Sequence, residues 1–76
     1  MKELVTHIAE SLVDSPDQVT VSMSETDETV SIELTVGQDD LGKVIGKQGR
    51  TARAMRTLLS ASASREDKKS RLDILE

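Results

Sequence analysis

Leu4, Val5, Ile8, Leu12 and Val13 recur at intervals of three and four, which predicts an amphipathic helix over residues 2–14. Ser15-Pro16-Asp17 stops it, because proline disfavours the helical conformation of the residue before it. The period then changes to two. Val19, Val21 and Met23 alternate with Thr20, Ser22 and Ser24, and after the polar stretch 25–28 the alternation resumes at Val30, Ile32, Leu34 and Val36. Two such runs around a short acidic turn predict an antiparallel hairpin with one buried face. Gly37 ends the second strand, and Asp39 or Asp40 is suited to cap the next helix. Leu41, Val44 and Ile45 make a short helical turn that Gly46 halts. A further helix from near Arg50 to about Ser64 puts Ala52, Met55, Leu58, Leu59 and Ser62 on one side and Arg50 and Arg53 on the other, with Arg56 adjoining them. The segment SREDKKS reads as a charged loop, and Leu72, Ile74 and Leu75 as a terminal strand. The order α-β-β-α-α-β predicts an α+β domain, a three-stranded sheet covered on one face by three helices.

Seventy-six residues suit one domain, 1–76, with a small core. No cysteine is present, so neither disulfides nor thiolate chemistry enter, and a reducing compartment fits. The absence of a long apolar run predicts a soluble, cytoplasmic chain without a membrane span or signal peptide. His7 lies off the apolar stripe and has no second histidine to share a metal, so it is expected to face water. With carboxylates scattered over turns, the chain does not read as an enzyme, and no cofactor, metal or small-molecule substrate is implied.

Charge changes the picture more than composition does. Residues 1–40 hold ten acids against Lys2, a net of −9, whereas residues 41–65 hold six bases and no acid. A solvated helix face normally interleaves both signs to gain pairs one turn apart. This segment forgoes them all, which marks it as a surface for an anionic partner.

Two glycine patterns lie in or beside that segment. Gly37-Gln38-Asp39-Asp40-Leu41-Gly42-Lys43-Val44 nearly matches a nucleotide-binding loop. It fails because Val44 replaces the magnesium-binding hydroxyl, and Asp39 and Asp40 would repel phosphates. Gly46-Lys47-Gln48-Gly49 is the better candidate. Gly46 must reverse the chain, a conformation costing another L-residue about 1–2 kcal/mol. Gly49 opens the next helix, whose first amides are expected to lack partners and to carry the positive end of its dipole. Two bare corners let a phosphodiester approach the backbone, with Lys43, Lys47, Arg50 and Arg53 adding charge.

The stretch DLGKVIGKQGRTARAMRTLL, set in the α-β-β-α-α-β order, resembles a type II KH domain, and the whole chain is similar to the small single-domain bacterial KH proteins of the KhpA family. The resemblance implies that Gly46, Lys47, Gln48 and Gly49 clamp the backbone of about four unstacked nucleotides. It further implies that Val44 and Ile45 floor an apolar groove, with Ile32 and Leu34 as its far wall. Ala52 departs from the larger aliphatic residue common in KH domains, which suggests a shallower groove. Family members form homodimers and pair with a larger KH-containing protein (KhpB, also called Jag), as an RNA chaperone complex linked to cell shape.

The chain has no Phe, Tyr or Trp, so base stacking on aromatic rings, about 1–3 kcal/mol per base elsewhere, is unavailable. Recognition of single-stranded RNA would rest on backbone clamping, aliphatic contact and base edges. Two alternatives remain open on sequence alone: a protein-interaction or dimerisation module with secondary RNA contact, and a single-stranded DNA binder.

Overall fold

The computed structural model describes residues 2–75; of the span expected to form one domain, Met1 and Glu76 lie outside the described residues. Helix α1, Lys2–Leu12, buries Val5 and Ala9, and a 3-10 turn at Pro16–Gln18 carries the chain into the sheet. Strands β1 (Thr20–Glu25) and β2 (Thr29–Thr35) form the expected antiparallel hairpin, with Val21 opposite Leu34 and Met23 opposite Ile32. The short helix α2 (Leu41–Ile45) and the fifteen-residue α3 (Arg50–Ser64) then form the crossover to β3 (Lys69–Leu75). That crossover lets β3 run parallel to β2, so the sheet is mixed, in the order β1-β2-β3. The architecture is α+β, a three-stranded sheet with three helices, as the sequence predicts.

Because β2 is the central strand, its inward positions are the most completely covered. Val30, Ile32 and Leu34 are at most 1% exposed and meet Val44 from α2 and Met55 and Leu59 from α3. Each such side chain contributes on the order of 1.5–3 kcal/mol by leaving water. The opposite face of the sheet carries Ser22, Ser24, Ser31, Glu33, Arg71 and Asp73, and the Arg71 Nε lies 3.4 Å from the Asp73 Oδ2. One apolar and one polar face on a half-covered sheet account for the period of two in β2.

Three expectations need correction. Met23 has the inward phase but is 44% exposed, because β1 is an edge strand and shows a burial pattern with only Val21 buried. Leu58 is 47% exposed, while Met55 and Leu59 are buried. Strand β3 begins at Lys69, inside the segment expected to be a loop, since Lys69 and Ser70 pair with Thr29 and Val30. Its start is held by the Lys69 amide donating to the Glu28 carbonyl and by an ion pair between Lys68 and Glu25. Helix α3 ends in a turn where the amides of Asp67 and Lys68 donate to the carbonyls of Ser64 and Ala63, with Asp67 at φ 57°. No helix among the described residues is long and apolar enough to cross a membrane.

Candidate nucleic-acid interface

The connection between α2 and α3 runs from Gly46 to Gly49, and all of it but Lys47 has positive φ. Gly46 ends α2 at φ 79°, ψ 170°, a region essentially reserved for glycine, and its amide donates to the Gly42 carbonyl at 2.9 Å. A Cβ on Gly46 would also lie 2.8 Å from the Thr51 amide nitrogen. Gln48 (φ 58°, ψ 27°) and Gly49 (φ 74°, ψ 14°) are both left-handed, although a Cβ on Gly49 would meet nothing within 4 Å. The first glycine is therefore demanded by conformation and by space, the second by conformation alone.

Lys47–Gly49 forms a 3-10 turn that leads straight into α3. The Gly49 amide donates to the Gly46 carbonyl at 3.1 Å, and the Arg50 amide to the Lys47 carbonyl. The amides of Gly49 and Arg50, where α3 opens, are thus engaged, contrary to expectation. Those without a backbone acceptor among the described residues are one step earlier, on Lys47 and Gln48. Helical bonding begins at the Gly46 carbonyl, so the unbonded donors move back into the loop.

Around these amides the charge is largely unpaired. Lys47, Gln48, Arg50 and Arg53 are exposed, and the three cations make no ion pair among the described residues. Lys43 is different. Its ammonium pairs with Asp14 and lies 3.5 Å from Asp40 Oδ1, so it points toward the end of α1. Asp14 chiefly, with Asp40 assisting and desolvation opposing, raises its pKa. Asp40 is the buried charged residue of the described chain, at 3% exposure. It does not cap α2 with its side chain; its two carboxylate oxygens accept the amides of Asp14 and Ser15, each at 3.1 Å. The Asp14 amide foremost, then the Ser15 amide and Lys43, hold its carboxyl below the ordinary value against the opposing effect of burial.

The apolar positions do not assemble as the resemblance implies. Val44 and Leu34 are 0% exposed and Ile32 is 1% exposed, because β2 lies mid-sheet beneath the helices. Their side chains belong to the core and present no groove surface; Ile45 alone of the four is partly exposed. The open cleft beside α3 lies against the edge strand β3. It measures about 370 Å3 and is lined by Arg56, Leu59, Ser60, Ser70, Arg71 and Leu72. There the Arg56 Nη2 donates to the Leu72 carbonyl at 3.3 Å. Sequence reasoning placed Arg56 beside the basic face but missed its partner strand. The available signal was the α2–α3 crossover, which delivers β3 in parallel beside β2 and under α3.

A glycine-hinged loop between two helices, packed on a three-stranded mixed sheet, is the arrangement of a KH-type domain. The profile described as "KhpA/KhpB, KH domain" matches residues 2–74, and the chain belongs to that family. It is 53% identical to the RNA-binding protein KhpA of Halalkalibacterium halodurans over the full length of both chains. To the RNA-binding protein KhpA of Listeria monocytogenes it is 49% identical, again over both full lengths. The RNA-binding protein KhpA of Chlamydia trachomatis is 46% identical across all of this chain and 97% of its own. No solved structure matches.

Proposed function

We propose that the chain binds single-stranded RNA, docking one or two phosphates on the Lys47 and Gln48 amides and leading the strand past Arg50 and Arg53 toward the cleft between α3 and β3. The observation that carries this reading is the coincidence, in one exposed turn, of two amides without backbone acceptors and three cations without counter-ions among the described residues. Lys43, Lys68 and Arg71 pair with acids, while Arg56, Arg65 and Lys69 also lack an ion pair among the described residues, so what sets the turn apart is the open amides beside its cations. Relatives named as RNA-binding proteins support RNA over DNA as the partner, and no enzymatic family is indicated. With no aromatic ring to stack on, binding is modest and its selectivity comes from base edges and the shape of the cleft. The expected setting is the cytoplasm and the expected role that of an RNA chaperone.

Titration of a fluorescein-labelled single-stranded RNA against the chain at several KCl concentrations tests the reading. Engagement of about 3–5 phosphates gives a log–log slope of about −2 to −3.5. Replacing both Lys47 and Gln48 with Asp abolishes binding while the far-UV circular dichroism is retained. A slope near about −7, or binding untouched by the double substitution, refutes it. Competition with DNA of the same sequence reads the contribution of the 2′-hydroxyl.

Leu58 favours a second role alongside the first. It is 47% exposed and shares the outward side of α3 with exposed Ala54 and Ala61, at spacings of four and three. A partner helix can approach closely over such small neighbours, which fits self-association or pairing with a larger KH-containing protein of the KhpB (Jag) kind. Under that reading Leu58→Glu lowers the sedimentation coefficient to that of a monomer and leaves the loop intact; an unchanged coefficient excludes this side of α3.

A further inference from the structure

Resting on the RNA-binding reading, we propose that Asp40 is the positioning residue of the nucleic-acid loop and that Lys43 belongs to its clasp, not to the phosphate contacts. Helix α2 has only five residues, too short to be stable or to hold a direction by itself. Its C-terminal end carries Gly46 and the open amides of Lys47 and Gln48, so any tilt of α2 displaces them. Asp40 immediately precedes α2 and ties it to a different element. Its two oxygens hold the amides of Asp14 and Ser15, just beyond the end of α1, and the residue is 3% exposed. Lys43, one turn into α2, closes the clasp from the other side by pairing with Asp14 and Asp40.

The geometry separates Lys43 from Lys47, although both are basic and four positions apart. Lys43 is drawn back along α2 toward the end of α1, whereas the loop lies at the opposite end of α2. The arginine-lined cleft adjoins β3, at the other edge of the sheet from β1, over which α1 packs. A strand running from the loop into that cleft moves away from Lys43. The charge of Lys43 is therefore spent holding α2, and its removal should misplace the loop without removing a phosphate contact.

The experiment measures the affinity of a fluorescein-labelled uridine dodecamer at 10 °C over 25–200 mM KCl for the wild-type chain, Asp40→Asn, Lys43→Met, Asp14→Asn and Lys47→Ala. Asn at position 40 offers one carbonyl and one amino group, so one of the two amides loses its acceptor and faces a donor. Expected for Asp40→Asn is binding roughly tenfold weaker, the scale on which supporting groups act at other sites, with the salt slope unchanged. Lys43→Met and Asp14→Asn both weaken binding at the wild-type slope, whereas Lys47→Ala flattens the slope by about 0.7, one phosphate's share. Amide resonances of Lys47 and Gln48 shift in the first two variants while those of Val30 and Ile32 do not. Should Asp40→Asn fail to fold, Lys43→Met and Asp14→Asn carry the test, because both side chains are substantially exposed. Tighter binding by Asp14→Asn, a flatter slope for Lys43→Met, or wild-type affinity in a folded Asp40→Asn overturns the inference while leaving RNA binding standing. A wild-type chain that does not bind the dodecamer overturns the RNA reading itself, and this inference with it.

Discussion

Replacing each loop glycine with alanine should separate the two demands that the turn makes. At Gly49 the new methyl enters open space, and the penalty is only that of a left-handed L-residue at φ 74°, about 1–2 kcal/mol. At Gly46 the backbone lies at φ 79°, ψ 170°, where a non-glycine residue costs of order 1–3 kcal/mol. The methyl would additionally lie 2.7 Å from the Thr51 Cβ and 2.8 Å from its backbone nitrogen, and overpacking of that kind adds roughly 1–3 kcal/mol. Together these reach about 2–6 kcal/mol, against a total stability of roughly 4–11 kcal/mol for a domain of 76 residues. Gly49→Ala should lower the melting temperature by about 4–16 °C, each kcal/mol being worth about 4–8 °C at this size. Gly46→Ala should leave the chain largely unfolded near 37 °C or with a displaced loop. Trimming Thr51 to serine should not rescue it, because the obstructing atoms include the backbone nitrogen and the Cβ. Thermal unfolding followed at 222 nm, with an amide spectrum of each folded variant, makes the comparison. Equal melting temperatures for the two variants refute the reasoning, since space at Gly46 would then count for nothing.

Leu59→Ala should cost about 2–5 kcal/mol by opening a cavity beneath α3, whereas Leu58→Ala, at 47% exposure, should stay within about 0.5 kcal/mol for the monomer; urea unfolding distinguishes them. Asp40, whose folded-state pKa is lowered, binds its proton more readily in the unfolded chain, so its stabilisation is present above the ordinary aspartate value of about 3.9. That contribution is lost as pH falls through the folded value. Melting temperatures measured from pH 6 downward should fall more steeply for the wild-type chain than for Asp40→Asn, and parallel profiles would contradict this. Arg56→Gln should weaken RNA binding and flatten its salt slope if the cleft receives a phosphate, and titration across KCl concentrations checks it.

The parts of this molecule that were legible in the sequence are those decided by near neighbours in the chain. Val30, Ile32 and Leu34 alternate because adjacent residues of a strand point to opposite faces, and that remains true wherever the strand lies. Gly46 announces a positive φ because the halt of α2 and the start of α3 are only a few residues apart. What was illegible depends on the order of elements in space. Alternation assigns Met23 to the helical side of the sheet but cannot say that β1 is an edge, and so leaves it 44% exposed. The same gap misplaced the groove: Ile32 and Leu34 look like wall residues until β2 proves to be the middle strand, and the open cleft beside α3 is bordered by the edge strand β3 instead. Asp39 and Asp40 both suit a cap for the helix beside them, and Asp40 does hold the N-cap position, but its side chain makes no cap bond. Its actual partners are 25 and 26 residues earlier, a separation that no local pattern encodes. The loop's own chemistry is written in its own residues, then, but the direction in which the loop points is set by a carboxylate whose role appears only once α1 has been folded against α2.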